Sequence, residues 1–170
     1  MLATETYVKK KGIVPFCEEH VDAIRPGWRR GARADIDVMA RFLRLHRELG
    51  QGFTAMIDGE PIAAGGLLPT REGIAEAWGL PGPRVRDYPL FVHRTAVKEL
   101  HRMIGDLRLR RIEASVLFGN ETAVRWIERL GFSEEGFMPL YGPGGETHIR
   151  YARLIRPPAS RSLMAEVSDG

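Results

Sequence analysis

Asn120 stands directly ahead of "ETAVRWIERL", a run with helical spacing that stops at Gly131-Phe132. Its side-chain oxygen suits the orphan N–H groups of that helix, or a ligand held at the same end, and both readings stay open. Seven arginines (Arg25, Arg29, Arg30, Arg33, Arg41, Arg44 and Arg47) crowd one stretch that also holds Asp35 and Asp37. Such a stripe can meet phosphates of a nucleotide or nucleic acid, or an acidic partner, or it can be a solvated helix face. No nucleic-acid-binding motif accompanies it. His93 and His101 sit eight residues apart on one expected helix, about two turns, too far to share a metal ion. Cys17 is the only cysteine, so no disulfide can form within the chain and no cysteine cluster can hold zinc. Trp78 and Trp126 are large enough to line a pocket or to build core.

A chain of 170 residues, 44% hydrophobic and 28% charged, suits one globular domain. The apolar runs are far shorter than a membrane span, and "MLATETYVKKKG" lacks the apolar stretch of a secretory signal. The formal net charge is +3, and a cytoplasmic setting is expected.

The elements that must position these residues alternate in type. "PFCEEHVDAI" (15–24) places Phe16, Val21 and Ile24 on one helical face, and Pro26-Gly27 ends it. A second helix is expected from Asp35 to about Gly50. The period then changes: "FTAMI" (53–57) and "PIAAGGLL" (61–68) flank Asp58-Gly59, a strong hairpin signal. "IAEAWG" (74–79) completes an antiparallel meander. After the proline-rich "LPGPRVRDYP" (80–89), Asp87 is expected to cap a helix over 88–105, with Leu90, Val97, Leu100 and Ile104 inward. "RIEASVLF" (111–118) alternates Ile112, Ala114, Val116 and Phe118 as a strand, and the Asn120 helix follows. Gly131 ends that helix in the left-handed conformation. Two last strands, about 133–141 and 147–155, flank "GPGGE". The tail, 157–170, is linker-like and expected to be disordered in isolation. Its Leu163, Met164 and Val167 are spaced as a helical turn and suit docking on a partner chain or a second copy, with the arginine-rich stretch of 25–47 as another contact surface.

A strand, then Asn120, Ala123, a short helix and Gly131-Phe132 resembles the second conserved motif of the GNAT superfamily of acetyl-CoA-dependent N-acyltransferases. The order of elements resembles the GNAT order from about residue 13 to 155. The resemblance implies an α/β fold, with one domain over 1–156. Its sheet is mixed and mostly antiparallel, flanked by about four helices, with strands 74–79 and 111–118 parallel and parting toward their C-terminal ends. It also implies acetyl transfer from acetyl-CoA to a small or protein amine, with no metal. Glu76 then falls where the family's general base often lies, although a solvated strand glutamate explains it too. Tyr141 ends a strand near the cleft, as a replacement acid or an ordinary strand aromatic. Trp78, Gly79, Leu80, Arg84, Arg86 and Asn120 are the implied acetyl-CoA contacts.

Two positions depart from the family pattern. The loop that should read Arg/Gln-x-x-Gly-x-Gly/Ala is "GLPGPRVRDYPLF" here, where Pro81 and Pro83 lack N–H groups and Asp87 adds a negative charge. Arg84 and Arg86 are its point contacts for phosphate. The family's tyrosine acid falls on Ile127. Weak or absent acetyl-CoA binding is therefore expected. Beside the acyltransferase stands a second expectation, a non-catalytic GNAT-fold structural or interaction protein. "RRGARADI" (29–36), "AEAW" (75–78) and "YGPGGETHIRYAR" also resemble short GNAT-like proteins of tailed phages, for which that role implies a virion or assembly component.

Overall fold

A computed structural model describes residues 10–24 and 51–155. Seven strands form one sheet: β1 (Lys11–Pro15), β2 (Gln51–Ile57), β3 (Glu60–Arg71), β4 (Ile74–Pro81), β5 (Arg111–Leu117), β6 (Ser133–Met138) and β7 (His148–Leu154). Their spatial order is β1-β2-β3-β4-β5-β7-β6, and only β4 and β5 run parallel. Three α-helices are described, α1 (Glu19–Ile24), α2 (Pro89–Asp106) and α3 (Glu121–Arg129), with a 3-10 helix over Pro83–Asp87. That is fewer than the four or so expected. The helix expected from Asp35, the arginine-rich stretch of 25–47 and the tail of 157–170 lie outside the described residues.

The meander forms as its turn residues dictate. Asp58 and Gly59 both take positive φ, 54° and 84°, the geometry that joins two strands tightly. Asp58 also closes on the chain's start: its N–H donates to the Lys10 carbonyl at 2.8 Å, and Lys10 N–H donates to Asp58 Oδ1 at 2.7 Å. β1 follows from that closure and was not expected. Its pairing to β2 spans more than forty positions (Lys11↔Ile57), a distance over which local pattern is silent. The helix expected over 15–24 therefore begins only at Glu19.

One face of the sheet carries most of the core. Leu67, Ala75, Ile112, Ala114, Val116, Ile149 and Tyr151 meet Ala96, Leu100 and Met103 of α2 and Ile127 of α3. Two expectations for α2 are corrected. Asp87 does not cap it: the N-cap is Tyr88, without a side-chain bond, because Asp87 is taken into the 3-10 helix and Pro89 opens α2. Leu90 is 69% exposed, since the inward stripe runs through Val92, Thr95, Ala96, Glu99, Leu100 and Met103. Phe118 is likewise outside: β5 ends at Leu117, and the Phe118 ring lies edge-on to Phe137 at 5.6 Å.

The opposite face is covered at β3 and β4 by α1. Val21 and Ile24 pack with Ala64 and Leu80, and Thr54, fully buried, bonds His20 Nδ1 at 2.8 Å.

Candidate active site

β4 and β5 pair over three positions only: Ile74↔Arg111, Ala75↔Ile112 and Glu76↔Glu113. Beyond Glu76, β4 stays bonded to β3 through Pro81, and β5 stays bonded to β7 through Leu117. The strands part toward their C-terminal ends, as expected. Each is left with one backbone edge, over 77–81 and 114–117, that has no strand partner among the described residues. Such N–H and C=O groups need partners from elsewhere, and an extended ligand laid in the opening supplies them.

Strand alternation sorts the side chains at this opening. Ala75 and Ala77 face the core. Glu76 therefore lies on the other face, as do Glu113 and Ser115 of β5 and, across the Ser115↔Arg150 pair, Arg150 of β7. The carboxylate of Glu76 makes no hydrogen bond or ion pair with another described residue. Glu113, its neighbour across the strands, is fully engaged: Oε1 accepts from Arg111 Nε at 2.7 Å and Oε2 from Arg150 Nη1 at 2.9 Å. The two terminal nitrogens of Arg111 fork onto Glu135. That pairing holds the Arg111 guanidinium charged well above its ordinary range and lowers the Glu135 carboxyl. Tyr141 approaches the same face from the β6–β7 loop, where its hydroxyl accepts from Ser115 Oγ at 3.3 Å. Glu76 and Tyr141 thus share one face of the opening, linked through β5.

Trp78 and Leu80 share Glu76's face but turn elsewhere. Leu80 is buried against α1. The Trp78 indole lies over Gly66 of β3 and Gly52 of β2, with the Phe16 ring 4.9 Å away. Gly79 faces the core side, where an added Cβ would stand 3.9 Å from the Trp126 ring of α3. Trp126 thus borders the opening from the helix side, and Ile127 is buried in the core.

Asn120 Oδ1 accepts from Ala123 N–H at 3.1 Å, a helix cap in full. The other end of α3 is tied as well: Gly131 adopts φ 85°, and Arg153 donates to the Leu130 carbonyl at 2.9 Å. The loop after β4 uses its own donors. Gly82 N–H bonds Ile62 O, Val85 N–H bonds Gly82 O, and Tyr88 N–H bonds Val85 O. Gly82 is required by packing, since a Cβ there would sit 2.7 Å from Ile62 O and 3.0 Å from Ile24 O. Arg84 lies against the Tyr88 ring at 6.0 Å, and Arg86 is exposed.

Sequence reasoning did not single out Arg111, Glu113, Ser115 or Arg150. The alternation of "RIEASVL" puts Glu113 and Ser115 opposite the apolar face, which was the available signal. A separate groove of about 920 Å³, lined by Phe16, Gln51, Phe53, Lys98, Glu99 and Arg102 among others, lies at β1, β2 and α2 and includes none of the residues at the opening. Among the described residues no His, Cys, Asp and Glu group is placed to hold a metal, and no helix is long and apolar enough to cross a membrane.

No family model matches the chain, and no curated protein matches it. Solved structures do. A ribosomal-protein-S5-alanine acetyltransferase from Vibrio fischeri is 15% identical, with 85% of this chain and 92% of that one covered and a TM-score of 0.65. A spermidine N-acetyltransferase mutant from Vibrio cholerae is 17% identical, covering 85% and 93%, with a TM-score of 0.64. An IAA acetyltransferase from Bacillus cereus is 13% identical, covering 86% and 100%, with a TM-score of 0.66. At these identities the likeness shows the fold, and the fold is that of the GNAT acetyltransferases.

Proposed function

We propose that this GNAT-fold chain is an N-acyltransferase that moves an acetyl group from acetyl-CoA to an amine. The observation that carries the reading is the β4–β5 opening with the carboxylate of Glu76, unpaired among the described residues, on its mouth. Acetyl-CoA, when bound, supplies an activated thioester. The unpaired backbone edges over 77–81 and 114–117 fit its extended pantetheine arm. The loop over 82–88 fits its pyrophosphate poorly, because the Gly82, Val85 and Tyr88 N–H groups are already used and Pro83 has none.

An ammonium with a pKa near about 10 must lose a proton before its nitrogen can attack. Glu76 accepts that proton, directly or through one water. The N–C bond then forms as the C–S bond breaks, and the departing thiolate takes up a proton. The hydroxyls of Tyr141 and Ser115, 3.3 Å apart beside β5, are the groups placed to supply it. Net, one ammonium and one thioester become an amide, a thiol and a released proton.

The loop sets the expected affinity. Without the glycine cradle, acetyl-CoA should bind with a Kd on the order of 100 μM or weaker, about 5 kcal/mol. Calorimetric titration reads this directly, and a Kd of a few micromolar or tighter would refute the argument from the loop. The same loop favours a second reading, a non-catalytic interaction protein, such as a phage virion or assembly component, with other chains held through the 25–47 stretch and the tail. Thiol release from acetyl-CoA over a panel of amines separates the two. Turnover of any amine, lost with Glu76→Gln, supports the enzyme, and no turnover at millimolar acetyl-CoA supports the second reading.

A further inference from the structure

We propose that the acyl donor is read through its pantetheine arm and not through its nucleotide, with the arm lying between α2 and α3 beside His93. Pantetheine thioesters as a class, with or without a nucleotide, are then donors. This rests on the acyltransferase reading. The starting observation is an orphaned group: His93 Nδ1 is buried and has no hydrogen-bond partner among the described residues. A buried ring nitrogen left so costs stability until a ligand or water meets it.

Its place follows from the turn of α2. One flank of that helix, with Lys98 and Arg102, lines the groove at β1 and β2. At about 100° per residue His93 falls on the other flank, in line with Val97, Leu100 and Ile104, which pack into the core that α3 shares. Its neighbour Val92 packs in one cluster with Ala63, the register partner of Pro81, so His93 stands level with the end of β4. There β4 and β5 have parted. Gly79 faces the same side without a side chain, and Trp126 of α3 walls it. His93, Gly79 and Trp126 thus border one slot over the gap.

The slot has the length of the arm alone. The unpaired edge over 77–81 runs about 16 Å at the usual strand rise. An extended pantetheine arm is of that length, and its two amides offer N–H and C=O groups to the strand edges and to His93. The nucleotide would begin where β4 ends, at the loop over 82–88. There the Gly82, Val85 and Tyr88 N–H groups are used within the protein. The loop presents side chains instead: Arg86 is exposed, and Arg84 leans on the Tyr88 ring. Exposed arginines attract an anion weakly and under screening, by about fivefold at most for each. The chemistry is the same for every such donor. The C–S bond that breaks and the N–C bond that forms lie at the sulfur end, and the thiol leaves on the arm whatever its other end carries.

S-acetyl-4′-phosphopantetheine, which is acetyl-CoA without its 3′-phospho-AMP, is the probe for transfer. Toward whichever amine is turned over, its kcat/KM on the wild-type chain should lie within about fivefold of that for acetyl-CoA. A larger advantage for acetyl-CoA overturns the inference and leaves the acyltransferase standing. Saturation-transfer NMR reads binding, with pantetheine and 3′,5′-ADP as separate probes. The geminal methyl protons of pantetheine should receive saturation from the wild-type chain and about threefold less, or lower still, from His93→Leu, with melting curves confirming that both are folded. The adenine protons of 3′,5′-ADP should receive none. An adenine signal, no pantetheine signal, or a smaller loss in His93→Leu overturns the inference. Pantetheine binding without transfer to any amine overturns the acyltransferase reading and leaves the slot for the arm standing. Neither binding nor transfer overturns both.

Discussion

Replacing Glu76 with Gln should lower acetyl transfer by about 10² to 10⁴-fold, the usual contribution of a positioned general base. The substitution keeps the shape and removes only the ability to take a proton. Glu113 is next to it across the strands, but both its oxygens are held by Arg111 and Arg150. Glu76 faces away from the core and has no ion pair with another described residue, so the variant should melt with the wild type. Initial rates of thiol release at saturating amine, beside a melting curve of each protein, check both halves. Full activity in Glu76→Gln would remove Glu76 from the mechanism.

Gly66→Ala should cost about 3 kcal/mol, a large value for adding one methyl group. The site is closed on three sides. The new Cβ would run into the Gln51 carbonyl oxygen and stand 2.8 Å from Gly52 Cα and 3.0 Å from Trp78 Nε1. Two of those neighbours are backbone of the adjacent strand, so β2 and β3 would have to separate. A fall of about 10 °C in Tm follows for a chain of this size. Gly79→Ala is the matched control: it is on the next strand, yet its Cβ would find only the Trp126 ring at an ordinary 3.9 Å. A Gly66→Ala protein melting within two or three degrees of wild type would show that the glycine pair is not the seat of Trp78.

Local chemistry made the meander and α3 legible in the sequence, whereas the β4–β5 opening came from the resemblance in the order of elements. Asp58-Gly59, Asn120 and Gly131 each act within a few residues of themselves, so their effect can be read from their neighbours. What was missed depends on distant partners. β1 exists because β2 is there to pair with it. Tyr88, and not Asp87, opens α2 because Pro83 and Pro89 divide that loop into two helices. The direction of the Trp78 indole, likewise, is set by glycines on two other strands. Arg150 drew no attention because an arginine in a strand is ordinary, and only the fold brings it onto Glu113.

The short β4–β5 pairing divides the sheet into two leaves, β1 to β4 and β5 with β7 and β6, joined at one end. Successive amides of a strand point to opposite edges. Along 77–80 and 114–117, every second N–H therefore points into the gap and the one between is held by β3 or β7. Amide hydrogen exchange should alternate fast and slow with a period of two in these stretches, and be uniformly slow over 74–76 and 111–113, where both edges are bonded. A molecule lying in the gap would quench the fast set alone, so its position could be mapped from the amides that fall silent.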